Sequence, residues 1–386
     1  VLCKNRANIC TLIFSSYLYI CMLIILHMTN NYLSDGGLYF SSSVPEVYLD
    51  FEDSYSYDSF LISLETLGEV IFKASYRTSE RNACRAIDIA DIIHTHMKCH
   101  NLAYADVKIC WYDPDQVLIG TRNASVIFSS ARFLEPADSV LRQSFLSDFD
   151  SLDVPESYSG TLTFFEPVPV PETGSCFFEI YSDSGSFSIP ADLTVRQGFN
   201  TIVIDVRDIM RQAVDSFQAS SEFIPTMIRV RAGDRTFDFF ISRIIPAALI
   251  YCRNSFNLEC VVPVFGSWQI KDEKKAETAY VGGMPAGYDL TADSSVEITS
   301  EPMDAESLSQ YLFLGTSPQV RTVLLSGRTA YVHDAVITSS NASICSSGDE
   351  MQQLKLTLSI SGSYGVIRLT RSGFRIFNDI FNKSFS

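Results

Sequence analysis

From residue 44 onward the chain reads as short apolar runs separated by turn residues. Runs fall at 46–51, 59–64, 69–76, 106–112, 116–119 and 125–129, and they are rich in aromatic and β-branched residues. Apolar and polar side chains alternate in Val107-Lys108-Ile109-Cys110-Trp111, the period of a strand with one face buried. Many short strands at this spacing predict a sandwich or barrel. The pattern resumes at 295–299, 320–325, 329–332, 336–338, 353–361 and 366–369. One stretch has helical spacing instead: Asp304 can cap a helix that runs through Leu314, with Leu308, Tyr311 and Leu312 on one face. Between these, 273–277 reads as a charged turn or short helix, and 282–287 as a Gly-rich loop.

Residues 9–28 break the pattern. They are almost wholly apolar and follow Lys4 and Arg6. About 20 such residues span a bilayer, so a signal peptide or membrane anchor is one reading. The absence of an A-x-A-like cleavage site and the polar run from Met28 point to another, upstream translation with the start at Met28. A buried segment is the third. Membrane contact is expected only if 9–28 is an anchor.

The most informative feature is an internal repeat. Ile87-Asp88-Ile89-Ala90-Asp91-Ile92-Ile93 matches Ile204-Asp205-Val206-Arg207-Asp208-Ile209-Met210. An aromatic strand precedes each copy (59–64 and 176–181), and two strands follow (107–111 then 125–129; 227–231 then 237–242). The units close alike, on Arg142-Gln143-Ser144-Phe145 and Arg253-Asn254-Ser255-Phe256. The fold expected is mostly β: two tandem related β-sandwich domains of Ig/FnIII-like type, then a β-rich α+β C-terminal domain. The expected segments are an apolar N-terminal stretch and lead-in (1–43), repeat 1 (44–145), an acidic turn-rich linker (146–159), repeat 2 (160–255) and the C-terminal domain (256–386).

Composition narrows the function. Hydrophobic residues make up 46% and charged residues 19% of the 386, a balance that builds packed cores rather than disorder. Net charge is −16 with no basic stripe, which argues against a nucleic-acid partner held through phosphates. The ten cysteines form no C-x-x-C pair, and Cys110, Cys176 and Cys252 sit in apolar runs as small hydrophobes. This spacing implies a reducing compartment during folding rather than a disulfide framework.

Candidate chemistry is sparse. His94-x-His96-x-x-Cys99-His100 is the one His and Cys cluster. Zn²⁺ needs three or four ligands in tetrahedral array, and on a helix His96 and His100 share a face; the competing reading is a polar loop after a helical turn. In the repeated motif the second acid, Asp91 or Asp208, is placed to cap a short helix, with Asp88 and Asp205 ending the strand before it. Calcium binding by these four carboxylates is the alternative, although two per motif fall short of the six or more oxygens Ca²⁺ takes. No P-loop, G-x-G-x-x-G or G-x-S-x-G is present. The expectation is therefore a chain that is not an enzyme, with no cofactor and no small-molecule substrate.

The third unit carries a resemblance. A strand at 295–300, the helix ending Leu314-Gly315-Thr316-Ser317-Pro318-Gln319-Val320, a strand pair over 330–338, and Gln353-Leu354-Lys355-Leu356-Thr357-Leu358-Ser359-Ile360 follow in order, before the aromatic ending Gly373-Phe374-Arg375-Ile376-Phe377-Asn378-Asp379-Ile380-Phe381. In this the chain resembles structural proteins encoded in phages and prophages of gut bacteria, particularly tail-tip or baseplate-type components. The resemblance covers residues 49–385. It implies assembly with other subunits of a virion or tail-like particle, as a homo-oligomer made in the host cytoplasm, and it brings no catalytic residues. Phe374, Ile376, Phe377, Ile380 and Phe381 are the expected assembly contact, because an apolar chain end needs something to dock on; docking on the chain's own third domain is the alternative. A secreted or cell-surface adhesin, pilus-type or carbohydrate-binding β-sandwich protein is the alternative.

Overall fold

The computed structural model describes residues 32–47, 59–77, 88–133, 135–169, 176–183, 185–217, 224–281, 284–317, 320–327, 329–341, 351–360 and 365–368. The apolar segment at 9–28 and the aromatic tail at 374–385 lie outside them. The protein is mostly β, and it groups into two compact units, 1–137 and 138–386.

Unit 1 is built on a five-stranded sheet of β1 (Gly37–Phe40), β2 (Ser59–Thr66), β3 (Glu69–Arg77), β4 (Tyr104–Tyr112) and β5 (Leu118–Ile127), in the order β1-β5-β4-β2-β3. Only β1, on β5, is parallel; the other pairs are antiparallel. The runs at 116–119 and 125–129 are one strand, since Thr121, Asn123 and Ser125 alternate with Arg122, Ala124 and Val126 across β5. Leu67 and Gly68 join β2 to β3 with φ of 51° and 81°. Two positive φ values define the type I′ turn that suits a hairpin's twist. Between β3 and β4 runs helix α1 (Ala90–Cys99). Ile89, Ile93 and Met97 recur every four residues and are buried with Ile62, Leu64, Val107, Ile109 and Val126. Burying one such side chain is worth about 1.5–3 kcal/mol, so this stripe fixes the helix on the sheet.

Unit 2 opens with helix α2 (Ala137–Gln143, its first residue at the unit boundary) and repeats that plan. Its five-stranded sheet holds β6 (Ser151–Pro155), β8 (Cys176–Ser182), β9 (Gly185–Pro190), β11 (Pro225–Ala232) and β12 (Arg235–Ser242), in the order β6-β12-β11-β8-β9. Position for position this is the order of unit 1, and again only the first strand, β6 on β12, is parallel. The registers agree too: Gly37 faces Ala124 and Ser151 faces Asp238, the same separation along the chain. Strands β7 (Ser159–Glu166) and β10 (Gly198–Asp205) form a separate pair, and β10 runs directly into α3 (Val206–Phe217). Val206, Ile209 and Ala213 of α3 are buried. Each five-stranded sheet thus carries a helix and a parallel edge strand. The segment at 146–159, acidic and turn-rich in sequence, is not a free connection: it contains β6, and Leu146, Phe149, Leu152, Val154 and Tyr158 are buried.

The rest of unit 2 is an eight-stranded sheet of β13 (Ala248–Arg253), β14 (Glu259–Val264), β15 (Gly266–Val281), β16 (Met284–Ser300), β17 (Val320–Ser326), β18 (Thr329–Asn341), β19 (Lys355–Ile360) and β20 (Gly365–Arg368). Its order is β14-β13-β17-β18-β19-β16-β15, with β20 on β18. Helix α4 (Ala305–Gln310) is capped as the sequence predicts, Asp304 Oδ1 accepting from Ser307 N–H at 2.7 Å. It ends earlier than predicted, passing into a 3₁₀ turn at Leu312–Thr316 that leaves Leu312 exposed. One core runs from Phe145 through Ile228 and Ile250 to Leu358.

Candidate assembly surface

The His and Cys cluster is divided by α1. His94 turns inward, where its Nδ1 lies 3.0 Å from the Ser41 hydroxyl and its ring stacks on Phe128 at 4.9 Å. Ser41 is itself tied to Ser129, whose N–H it accepts at 3.0 Å. Burial pushes the His94 pKa below its ordinary value, Lys98 adds to the effect and Asp91 opposes it. His96 and His100 pair with each other, rings 4.5 Å apart; burial first and His100 second lower the pKa of His96. Cys99 is exposed and reduced. The segment is helix rather than the polar loop considered from sequence, and helical spacing is what sends His94 away from the other three. Among the described residues no group of three or more His, Cys, Asp or Glu is placed to hold a metal ion.

In the repeated acidic motif it is the first acid that meets the helix, not the second. Asp205 Oδ1 accepts from Asp208 N–H at 3.0 Å and Asp88 Oδ1 accepts from Ala90 N–H at 3.0 Å. Asp91 is the second residue of α1 and Asp208 the third of α3, both in the first turn, where a negative charge meets the positive helix end. Asp208 also pairs with Arg211 at 2.8 Å in an exposed i, i+3 contact. Each helix starts earlier than the sequence reading placed it, because Ile89 and Val206 belong to the buried stripe.

One pair of residues was not singled out from sequence. Arg235 opens β12 on the inward-facing parity, opposite Ala232, and Arg122 occupies the matching place on β5, opposite Ile109. Arg235 is 4% exposed. It donates to the carbonyls of Leu141 (2.7 Å) and Phe165 (3.0 Å) and to Glu166 Oε2 (3.2 Å), and it lies 4.8 Å over the Phe164 ring. Burial pushes its pKa down and Glu166 pushes it back up. Arg122 donates to the Leu33 carbonyl at 2.8 Å. In both units the arginine fixes chain that precedes the parallel edge strand. The signal was legible: an Arg two and four residues before apolar side chains, in the same place in both repeats.

Beside Arg235 is a cleft of about 490 Å³, lined in part by Phe164, Phe177, Glu166, Glu179 and Arg231. Its charges are matched, Arg235 with Glu166 and Arg231 with Glu179 at 3.8 Å. The outer face of this sheet continues as a ladder. Asp238 takes two hydrogen bonds from Arg229, at 2.7 and 2.8 Å, and raises its pKa; Glu179, next across in register, accepts from the Tyr181 hydroxyl at 2.9 Å. This is a solvated, internally neutralised face.

The feature that reaches outward is the β15–β16 hairpin. The two strands pair from Gly266↔Ser300 to Val281↔Met284, with one irregularity between Ala276 and Glu277. Strand β19 supports β16 only from Thr299 to Ser294. Beyond that, residues 272–281 and 284–293 pair with each other and, among the described residues, with no third strand. At about 3.4 Å per residue the unsupported part is roughly 34 Å long. Its base is firmly set. Trp268 donates from Nε1 to the Leu325 carbonyl at 2.9 Å and meets the Tyr331 ring edge-on at 5.5 Å, so the sheet curls until its β15 end faces its middle. Lys271 pairs with Glu297 and holds that carboxyl below its usual range, helped by Gln269. Gly266 permits the entry, at φ 147°, where a Cβ would sit 2.1 Å from the Thr299 carbonyl oxygen. Along the arm the composition changes: 272–277 is Asp-Glu-Lys-Lys-Ala-Glu, whereas 278–288 carries no charged residue. Sequence reading took 273–277 as a turn or helix because its charges hide any alternation; pairing makes it strand.

No family model matches the sequence, and no curated protein matches it. Among solved structures the chain is similar to a chain in the virion of a native gene transfer agent particle, at 14% identity over 31% of this chain and 95% of that one, TM-score 0.22. It is also similar to a chain in the tail of an empty gene transfer agent particle of C6 symmetry, at 14% identity over 31% and 96%, TM-score 0.23. At those TM-scores the likeness carries no argument for fold or function.

Proposed function

We propose that this chain is a non-catalytic structural subunit of a phage tail or tail-like particle, and that the β15–β16 arm is its contact with a neighbouring copy. The observation that carries the reading is the unsupported length of that hairpin. A two-stranded hairpin alone is marginal in water, so some 34 Å of it needs a partner surface to hold its shape. The charged stem favours solvent, and the uncharged tip with Tyr280, Val281, Met284 and Tyr288 favours burial in an interface. Lys274, Lys275 and Pro285 are the residues that discourage indiscriminate strand addition along such an edge. The net charge of −16 speaks against nucleic acid as the partner. The aromatic tail at 374–381 is a second contact in this reading. Duplication of the first two units remains part of the proposal, and the shared strand order supports it.

The test is to delete Lys274–Ala292 and join Glu273 to Asp293 through Asn-Gly, a two-residue turn suited to the register. Light scattering after size exclusion reports mass and thermal melting reports the fold. The expected result is loss of every species above the monomer with an unchanged melting transition. Assembly that persists in the shortened chain would overturn the role given to the arm.

A further inference from the structure

The thiols of Cys252 and Cys260 lie 3.5 Å apart on adjacent strands, directly opposite in the β13–β14 register. Opposed residues of an antiparallel pair have Cα atoms about 4.5–5.5 Å apart, inside the roughly 4.4–6.8 Å that disulfides bridge, so bonding needs side-chain rotation and no backbone movement. The strands are held in place on both sides of the thiols. Asn254 Nδ2 donates to the Leu146 carbonyl at 2.7 Å, Ser255 N–H donates to Asp148 at 2.9 Å, and Tyr158 donates to the Val261 carbonyl at 3.0 Å. Cys252 is buried and Cys260 partly exposed. Contact with Cys260 first, and burial second, raise the pKa of Cys252, which leaves Cys260 as the thiol that meets an oxidant in solution.

We propose that Cys252 and Cys260 are an oxidation site, converted by a small-molecule disulfide such as oxidised glutathione into a cross-strand bond that staples β13 to β14. The Cys260 thiolate attacks one sulfur of the reagent, the reagent's S–S bond breaks, and one thiolate leaves. Cys252 then gives up its proton and attacks Cys260 Sγ, releasing the second. The two protein thiols are oxidised, one disulfide is reduced to two thiols, and both protons end on the released pair. The site is independent of the arm and of any reading of what the chain assembles into.

The full chain, purified under reductant, is incubated with oxidised glutathione, quenched with an alkylating agent, digested and mapped by mass spectrometry. Expected is a Cys252–Cys260 linked peptide two hydrogens lighter than the reduced pair. In Cys252→Ala a glutathione adduct accumulates on Cys260, because no second thiol resolves it. In Cys260→Ala modification at Cys252 slows at least tenfold. A stable adduct on Cys260 in the unsubstituted chain, or its linkage to another cysteine, overturns the proposal; the unsubstituted chain decides the matter even where a variant fails to fold.

Discussion

Replacing Arg235 with Met removes a buried charge and keeps most of the stem that packs on Phe164. The guanidinium's three hydrogen bonds are lost. The larger consequence is Glu166, whose side chain is 12% exposed and faces Arg235. Removing one partner of a buried ion pair costs about 3–5 kcal/mol, chiefly through the charge left behind. At about 2–4 °C per kcal/mol for a unit of this size, the transition of unit 2 should fall by roughly 10 °C. The two tryptophans allow the measurement to be confined to one unit, since Trp111 lies in β4 and Trp268 in β15. In a Trp111→Phe background, urea unfolding followed by Trp268 fluorescence reads unit 2 alone. Arg122→Met, read by Trp111 in a Trp268→Phe background, should cost only about 1 kcal/mol, because Arg122 is partly exposed and, among the described residues, its loss strands no carboxylate. Glu166→Gln completes the cycle, and its coupling to Arg235 should fall at about 0.5–3 kcal/mol. A cost below about 1 kcal/mol for Arg235→Met, or equal costs at the two arginines, refutes the reasoning.

Asp205→Ala should cost about 0.5–2 kcal/mol as a lost cap, whereas Asp208→Ala should cost only a few tenths, and urea midpoints separate the two. For His94 and His96 the folded-state pKa is depressed, so the unfolded chain binds protons the folded one refuses; stability is complete above the unfolded value of 6.5 and is lost as pH falls from there through the folded values. Unit 1 should therefore melt lower at pH 5.5 than at pH 7.5, and the double substitution His94→Gln/His96→Gln should flatten that slope. Deleting Phe374–Ser386 should abolish oligomers in sedimentation while leaving the monomer's melting transition nearly intact; a truncated chain that unfolds or aggregates as a monomer assigns the tail to an internal core.

Much of the fold was legible because period-2 alternation survives at the level of single strands, as in 107–111 and 228–231. The repeat was legible through one heptapeptide and the order of its neighbours. What escaped reading depends on pairing at long range. Nothing local marks 146–159 as the home of a parallel edge strand, since its partner β12 is far along the chain and its acids disguise Leu152 and Val154. Asp91 and Asp208 look as fit to cap as Asp88 and Asp205; only the burial of Ile89 and Val206 decides where the helix begins. The arm was hidden for the opposite reason. Its charged run at 272–277 shows no alternation, and register with each other, not composition, holds the two strands extended.

The sheet order also sets a sequence of events in time. Strand β19 lies between β18 and β16, so it is the wedge that unites β13, β14, β17 and β18 with the hairpin. On a ribosome the arm at 266–300 emerges well before residues 355–360. Until those appear, β16 pairs, among the described strands, with β15 alone, and the base is held only where Trp268 meets Leu325 and Tyr331. Non-local pairing of this kind closes slowly, because loop entropy must be overcome first. A nascent chain thus carries an arm anchored at one point, and β19, made later, completes its base.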